Sequence, residues 1–371
     1  MTDSTLSQTR DPNEKTILGH PRGLFILFLT EMWERFSYYG MRGLLIVYLT
    51  QHFLFSDEKS SLIYGAYTAL VYVMTIIGGS LADRYLGARK AVTFGAILLV
   101  LGHFGMAFEG NGSKQILTYD GAKYEVKLDA RGGDAKQQLI TPSGTSFVTF
   151  TDDSMLVEDA AALGLPVNIS RDEIKITVER EEFYLNILYL SLALLIAGVG
   201  FLKANISTIV GSMYGFGDTR RDSGFTIFYM GINLGAFLAS IICGTLGIVY
   251  GWKYGFGVAG IGMLIGLGIF LYFQDWLEGK AEPPHPEKLK EKVFLFINYE
   301  VMCYLIGLGI IAVSMLLVMN EELVGGVLGP IGIAMFVGLL IYAFKALKGD
   351  ERSRMLAAIY FVLAQIPFWA L

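Results

Sequence analysis

The chain has 371 residues, of which 53% are hydrophobic and 17% are charged, with 44 glycines and a formal net charge of −5. Its mean hydropathy is +0.51. Soluble globular domains are less apolar and more charged than this, so the composition excludes that class and indicates an integral membrane protein.

Apolar stretches of about 20 residues, the length that a helix needs to cross roughly 30 Å of hydrocarbon, recur along the chain. They lie near residues 24–50, 61–82, 91–108, 184–210, 223–246, 254–273, 294–318, 325–345 and 355–371. The sequence therefore predicts an all-α polytopic membrane protein. The first stretch is too long and too charged to be a signal peptide, so we expect it to be a spanning helix.

Basic residues fall mainly on alternate connections between these stretches. On one side of the membrane they are Arg22, Arg84, Arg89, Lys90, Arg220, Arg221, Lys280, Lys288, Lys290, Lys292, Lys345, Lys348, Arg352 and Arg354. By the positive-inside rule these connections are cytoplasmic, and the N-terminus is predicted to lie on the same side.

The first apolar stretch contains charged residues in the segment "TEMWERFSYYGMRG", residues 30–43. At about 100° per residue, one helical face presents two acids, two bases and a tyrosine. These are Glu31, Glu34, Arg35, Tyr38 and Arg42. Each ionised group at membrane depth would cost about 2.5–3.5 kcal/mol, which excludes a stripe that faces lipid.

Two interpretations of this face remain open. In the first, a salt-bridge lattice between Glu31 and Arg35 at i,i+4, and between Glu34 and another partner, only fixes the packing of helices. In the second, the charges line a water-accessible cavity that handles protons or a polar substrate. We favour the second, because apolar residues of similar volume would hold a purely structural contact at less cost.

One long connection, residues 109–183, interrupts the helical pattern. Its segments "AKYEVKLDARGG", "SFVTFTDDS" and "DEIKITVERE" alternate polar with β-branched or aromatic residues and contain turn residues. We therefore predict a small β-rich extracytoplasmic insertion. It is either a lid or partner-docking module or, as we favour, a tolerated loop insertion without a function of its own.

Three motifs resemble those of a known family. The run "EMWERFSYYG" that begins at Glu31 looks like the ExxERFxYYG signature of the proton-dependent oligopeptide transporter family, within the major facilitator superfamily. "GGSLADRYLGARK", residues 78–90, resembles the superfamily's loop between its second and third helices. "FTIFYMGINLGAF", residues 225–237, resembles the family's fifth-helix motif FYxxINxG. The first and third motifs are specific, and the second is much less so.

The resemblance implies a major facilitator fold and a division of the chain into segments. We expect helices 1–3 of an N-terminal six-helix bundle in 1–108, the insertion in 109–183, bundle helices 4–6 in 184–275, a cytoplasmic linker in 276–293, two extra transmembrane helices in 294–345 and the start of a C-terminal bundle in 353–371. The chain stops in an apolar stretch that looks like the family's seventh helix. We therefore expect the second half to be missing from it.

The resemblance also implies roles for particular residues. Proton coupling is expected of Glu31, Glu34 and Arg35, and substrate binding of Arg35, Tyr38, Tyr39, Arg42, Tyr72, Lys203 and Asn233. Each has a plainer alternative: the lysine could snorkel to the interface, the asparagine could form an interhelical hydrogen bond, and the tyrosines could be ordinary core. His103 is a rival proton carrier that no motif supports.

The function that the resemblance implies is proton-coupled symport of di- and tripeptides by alternating access. It implies a location in the inner membrane of a bacterium, with peptides, protons and the lipid bilayer as partners. Two alternatives stay open: a transporter of the same fold for another small solute, such as nitrate or an amino-acid derivative, and a non-transporting receptor that acts through residues 109–183. The sequence shows no nucleophile with a base, no metal-spaced cluster, no phosphate-binding loop and no basic nucleic-acid patch. We therefore predict no enzymatic activity, cofactor, metal or nucleic-acid partner.

Overall fold

The structure is a computed structural model that describes residues 15–129, 136–294 and 296–370. The chain divides into two compact units, one up to Met319 and one from Asn320 onward. Within the described residues, the first unit contains seven long helices and a β-sheet, and the second contains two long helices.

Each predicted apolar stretch coincides with a helix of the described chain. The helices are α1 (Arg22–Gln51), α2 (Asp57–Leu81), α3 (Gly87–Ala107), α4 (Glu182–Ser212), α5 (Arg221–Thr245), α6 (Trp252–Tyr272), α7 (Tyr299–Met319), α8 (Glu321–Lys345) and α9 (Gly349–Ala370). The predicted helices are confirmed. Helix α7 begins later than the apolar stretch at 294, because Lys292–Phe294 pairs with Ile297–Asn298 as a short hairpin.

Six helical stretches of the described chain are long and apolar enough to cross a membrane. They are Asp57–Ala107, which joins α2 to α3 through a π-helical turn, Arg221–Tyr250, which contains α5, and the helices α4, α6, α7 and α8. Helix α1 has 30 residues, also enough to span, but its interior carries two glutamates and two arginines.

Local signals fix the ends of several helices. Ser56 caps α2, because its hydroxyl accepts a hydrogen bond from the backbone N–H of Lys59, and acidic residues fill the first turn. Gly87 (φ +74°) and Gly251 (φ +122°) follow π-helical turns and begin the next helices. Both adopt backbone conformations that residues with a side chain rarely reach.

Helix α1 packs against α5 and α6, while α2 and α3 pack against α4. Two glycines allow α5 to touch the backbone of α1: a Cβ atom at Gly235 would lie 2.2 Å from the carbonyl oxygen of Met32, and one at Gly231 would lie 2.9 Å from that of Phe28. The GxxxG pair is therefore a site of close helix packing. It lies beside the charged segment of α1, since Gly235 also approaches the Cβ of Arg35.

The insertion between α3 and α4 forms one antiparallel sheet, so the predicted β-rich insertion is confirmed. Its strands are β1 (Lys114–Tyr119), β2 (Ala122–Asp129), β3 (Lys136–Thr141), β4 (Gly144–Phe150), β5 (Ser154–Val157), β6 (Asn168–Ser170) and β7 (Ile174–Glu179), in the spatial order β6-β5-β4-β3-β2-β1-β7. Buried side chains of one small core join the strands: Leu117, Val126, Leu139, Val148, Met155, Val157, Ala160 and Ile169. The sheet therefore has a core of its own.

The residues just before β1 and just after β7, which are neighbouring strands at one edge of the sheet, are hydrogen-bonded to the connection between α1 and α2. The backbone N–H of Ser113 donates to the carbonyl of His52 at 2.8 Å. The guanidinium of Arg180 donates from Nε to the carbonyl of Phe53 at 2.6 Å and from Nη2 to that of Leu54 at 2.7 Å. Leu54 has a φ of +51°, which side chains disfavour, so these bonds hold a strained turn in place.

A second contact joins the ends of α1, α3 and α6. The Nε2 atom of His52 lies 3.1 Å from the carbonyl oxygen of Glu109, and the Glu109 carboxylate accepts a hydrogen bond from the Lys253 backbone at 2.9 Å, in the first turn of α6. Burial lowers the pKa of His52 and raises that of Glu109. A neutral His52 therefore donates its Nε2–H to the carbonyl.

We predict that Arg180→Ala loosens the turn at residues 53–56. The change removes two hydrogen bonds to a charged donor, each of about 1.5–3 kcal/mol, so amide hydrogen exchange there should become about tenfold faster or more. Arg171→Ala is the matched control, because the Arg171 guanidinium lies 5.0 Å over the ring of Phe150 inside the sheet. Exchange at 53–56 that is equal in both variants would contradict the proposed anchor.

Candidate functional site

The charged face of α1 is buried inside the first unit. Glu31, Glu34 and Arg35 are each at most 3% exposed. The Arg35 guanidinium pairs with both acids: its Nε lies 3.2 Å from Glu31 Oε1 and also contacts Glu34 Oε2, and its Nη2 donates to Glu34 Oε1 at 2.6 Å. One arginine therefore serves two carboxylates.

The pairing leaves this cluster incompletely satisfied. Glu31 Oε2 is buried and has no hydrogen-bond partner among the described residues. Lys203 on α4 is near enough to act on Glu31 electrostatically. The cluster thus contains the salt bridges that the sequence suggested, together with a free acceptor and a second cation from another helix. The second oxygen of Glu31 is therefore an acceptor that remains available to a further donor.

Two tyrosines of the signature follow the cluster along α1. The Arg35 guanidinium carbon lies 4.9 Å from the ring centroid of Tyr38, which is buried. The rings of Tyr38 and Tyr39 meet edge to face, with centroids 5.4 Å apart. The aromatic face therefore extends the charged face toward Arg42, one turn further on.

Arg42 contacts a residue that the sequence did not single out. Its Nε donates a hydrogen bond of 2.5 Å to the hydroxyl of Tyr64 on α2, and its guanidinium carbon lies 5.6 Å from the centroid of the same ring. Tyr67, one turn later, is buried beside the cluster, and its hydroxyl has no partner among the described residues. The signal that could have found both is their i,i+3 spacing on one face of α2.

Lys203 and Tyr72, which the sequence predicted separately, meet in the structure. The Lys203 ammonium lies 4.4 Å from the centroid of the Tyr72 ring, and the side chain of Tyr72 is largely exposed. This contact joins α4 to α2 on the side where Glu31 lies. The described contact of Lys203 is thus with an aromatic ring of a neighbouring helix.

Asn233 is placed differently from the other predicted site residues. It is exposed on α5, and its Nδ2 donates to the carbonyl of Tyr229 in its own helix at 3.1 Å. The contacts described for it include no bond to the α1 cluster and no interhelical bond. The structure therefore brings together the predicted residues of α1, α2 and α4, but not Asn233.

Other candidate groups lie apart from this site. His103 on α3 is fully buried, and neither ring nitrogen has a hydrogen-bond partner among the described residues. Cys243 and Cys303 are buried and free. In the part of the chain that the structure describes, no three His, Cys, Asp or Glu side chains are grouped so that they could hold a metal ion.

Comparison with known proteins identifies the family to which the chain belongs. The POT family matches residues 89–371, which is more than half of the chain. The chain belongs to the POT family. It is 33% identical over 374 residues to the uncharacterized transporter YclF of Bacillus subtilis. This alignment covers 96% of this chain and 59% of YclF.

Two further relatives have named substrates or ligands. The chain is 32% identical over 380 residues to a di-/tripeptide transporter of Lactococcus lactis, with 98% of this chain and 61% of that protein covered. A crystal structure of a mutant of the peptide transporter POT in complex with alafosfalin is 32% identical, with a TM-score of 0.62 over 96% of this chain and 59% of that chain. This chain thus spans about three fifths of the length of each of these relatives.

We predict that Tyr64→Phe lowers the free energy of unfolding by about 1.5 kcal/mol, because it removes the hydroxyl that accepts from Arg42 but keeps the ring. Tyr67→Phe is the matched control on the same helix. It removes a buried hydroxyl without a described partner, so its effect should be near zero or stabilising. Chemical unfolding of both variants in detergent measures the difference. Equal losses would argue against a stabilising Arg42–Tyr64 hydrogen bond.

Proposed function

We propose that the protein is a proton-coupled symporter that imports di- and tripeptides by alternating access. The observation that carries the proposal is the buried cluster on α1, where Arg35 is shared between Glu31 and Glu34 while Lys203 stands nearby. Membership of the POT family and the names of its peptide-transporting relatives support the same reading.

Proton coupling follows from the sharing of one cation. When one carboxylate takes up a proton, it loses its charge-assisted bonds to Arg35. The N–H donors of the guanidinium that made those bonds are then free to bond another anion. The C-terminal carboxylate of a peptide is such an anion. Release of the proton on the other side of the membrane restores the pair with Arg35 and displaces the substrate. Protonation and peptide binding thereby favour each other, as symport requires.

We assign substrate binding to two cations, Arg42 and Lys203, each of which contacts a tyrosine in the structure. Arg42 bonds the hydroxyl of Tyr64, and Lys203 lies over Tyr72, so neither of these contacts neutralises the positive charge. Both cations remain able to attract a peptide carboxylate. Tyr38 and Tyr39 supply ring and hydroxyl surface beside them. Asn233 makes no described contact with this cluster, and in the proposal its exposed amide on α5 bonds peptide backbone.

The proposal includes a major facilitator fold with its N-terminus in the cytoplasm of a bacterium and its helices in the inner membrane. In this assignment α1–α6 form the N-terminal bundle, residues 276–293 are a cytoplasmic linker, α7 and α8 are the two extra helices, and α9 begins the C-terminal bundle. The alternation of basic connections supports the orientation. The insertion, whose sheet has its own core, is extracytoplasmic.

We predict that Glu34→Gln, in the full-length protein reconstituted into liposomes, abolishes peptide uptake driven by a proton gradient but leaves peptide exchange at equal pH measurable. Glutamine keeps the shape of the side chain and cannot ionise, so it removes the proton-binding group without changing the shape of the site. Glu58→Gln, at an exposed position in the first turn of α2, is the control and should transport normally. Gradient-driven uptake that survives Glu34→Gln would refute the coupling role.

We predict that Lys203→Ala weakens binding of peptides with a free C-terminus by about tenfold or more, but hardly affects amidated peptides. An ammonium that faces a carboxylate in a partly dehydrated pocket contributes about 1.5–3 kcal/mol. Lys253→Ala is the control, since Lys253 lies 5.1 Å over the ring of Tyr254 away from this site. Equal losses for both kinds of peptide would indicate a structural lysine.

The same assay separates the alternative functions. Uptake of labelled peptide that excess dipeptide fails to suppress would favour another solute, such as nitrate or an amino-acid derivative. Loss of partner binding after deletion of 109–183, with no solute flux in the intact protein, would favour a receptor.

A further inference from the structure

The hydroxyl of Tyr67 is a buried polar group that the described contacts leave unused. Tyr67 lies on α2 and is fully buried. Its hydroxyl has no hydrogen-bond partner in the part of the chain that the structure describes. Buried hydroxyls are nearly always bonded, and a phenylalanine would fill the same volume without a polar atom to satisfy. A role for this hydroxyl therefore requires a partner that becomes available when the site changes.

Tyr67 faces the charged segment of α1. The groups near enough to act on its hydroxyl electrostatically all belong to that helix: Glu34, Arg35, Tyr38 and Arg42. Tyr64, one turn earlier on α2, already reaches α1 by its own hydroxyl, which accepts from Arg42. Glu34 is the carboxylate among the neighbours of Tyr67, so it is the group whose bonding changes when a proton arrives.

In the described structure Arg35 occupies both oxygens of Glu34. Its Nη2 donates to Oε1 at 2.6 Å, and its Nε contacts Oε2. A carboxylate held at both oxygens by a guanidinium gains little from a further neutral donor. The Tyr67 hydroxyl therefore stays unbonded while this ion pair is closed.

Protonation changes the bonds that Glu34 needs. A neutral carboxyl has an O–H that donates and a C=O that accepts, and both need partners in a buried site. The guanidinium of Arg35 has donors only, so it cannot accept from the new O–H. A phenol hydroxyl both donates and accepts, so the Tyr67 hydroxyl can bond either atom of the protonated carboxyl.

We propose that Tyr67 is a positioning residue for proton coupling, and that its hydroxyl bonds the protonated carboxyl of Glu34 after Arg35 has moved to the peptide carboxylate. The inference rests on the proposed function, because it requires the release of Arg35. Tyr67 thereby stabilises the protonated, substrate-binding state and leaves the closed ion pair unaffected. Its contact is with Glu34 and not with the peptide.

The other ionisable groups around this segment are engaged elsewhere in the described structure. Glu31 pairs with Arg35. The further groups and their contacts are Arg42 at Tyr64, Lys203 over Tyr72, Cys243 of α5 against Gly40, and His103 of α3 against Gly260 of α6. From α6 the contact with this part of α1 is the Met263 sulfur, which accepts from Ser37. These contacts give a protonated Glu34 no bond, which leaves the Tyr67 hydroxyl as its described neighbour.

The test is dipeptide uptake at a series of external pH values by liposomes that contain the full-length protein or its Tyr67→Phe variant. Without the hydroxyl, protonated Glu34 loses a hydrogen bond and ionised Glu34 loses none, so uptake needs a more acidic medium. One neutral hydrogen bond corresponds to a shift of about half a unit to one unit of pH. We expect the pH profile to move to the acid side by that amount. An unchanged profile, as for a hydroxyl that bonds only water, or an alkaline shift would overturn the inference.

Two comparisons locate the effect. Tyr48→Phe removes the hydroxyl of another buried tyrosine, near the C-terminal end of α1, where its ring stacks on His52 at 4.8 Å. This variant should keep the pH profile of the unaltered protein. In a Glu34→Gln background, the pH dependence of peptide exchange should be the same with and without the Tyr67 hydroxyl. A shift in that background would place the effect on another carboxyl and overturn the assignment.

Infrared difference spectroscopy separates this inference from the proposed function, because it needs no uptake. At acid pH with dipeptide present, the carboxyl C=O band that Glu34→Gln removes belongs to Glu34. Loss of a hydrogen bond raises the frequency of such a band, so Tyr67→Phe should move it to higher wavenumber. A band that stays in place, or the absence of the band, would overturn the inference. Unaltered protein that shows the shift but no gradient-driven uptake would contradict the proposed function alone.

Discussion

The pairing of Arg35 with two carboxylates is the interaction on which the rest of the site depends. Each of the three ionised groups would be strongly unfavourable inside the helical unit if it stood alone, since an unpaired buried charge costs several kcal/mol. Glu31, Glu34 and Arg35 all lie on α1, and the Arg35 guanidinium contacts both carboxylates, so one helix supplies both signs before any other helix packs against it. Two carboxylates and one guanidinium leave one net negative charge for the neighbouring helices to offset, and Lys203 on α4 is a cation that acts on Glu31.

The helix packing around that group follows the same constraint. At Gly235 the backbone of α5 comes against Met32, Phe36 and the Cβ of Arg35, so α5 covers the charged segment without a side chain of its own at the contact. The polar contributions come instead from α2 and α4, through Tyr64, Tyr67 and Lys203. The described site is therefore asymmetric: close apolar packing lies on one side of α1, and tyrosines and a lysine lie on the other.

Much of this arrangement could be predicted from the sequence, because it depends on periodicity along one element. Hydropathy located the helices, and the spacing of Glu31, Glu34, Arg35 and Tyr38 predicted one shared face of α1. The alternation of residues in 109–183 predicted strands. Lys203 and Tyr72 were found through resemblance to a family, since neither periodicity nor composition relates residues on two different helices.

The parts that could not be predicted are contacts between elements. Tyr64 is one of several tyrosines on α2, and only the rotation of α2 against α1 selects it as the partner of Arg42. The segment 276–293 reads as a hydrated linker, yet Leu289 and Ala281 are buried in it, and the backbone of Arg89 bonds the carbonyl of Ala281. The order of the strands in the sheet could not be predicted either, because the alternation of residues shows which face of a strand is apolar but not which strand lies beside it.

The way in which the insertion is attached bears on what it can do. A lid needs a hinge at its base, where few bonds hold the backbone, because a segment opens only as easily as its weakest contacts allow. Here the base is bonded at Ser113 and Arg180 to the connection after α1, and Glu109 links the end of α3 to the first turn of α6. The base of the insertion is therefore hydrogen-bonded to the connection after α1 and to α6. In the alternating-access transporter proposed above, a base held by these bonds favours a tolerated insertion over a lid.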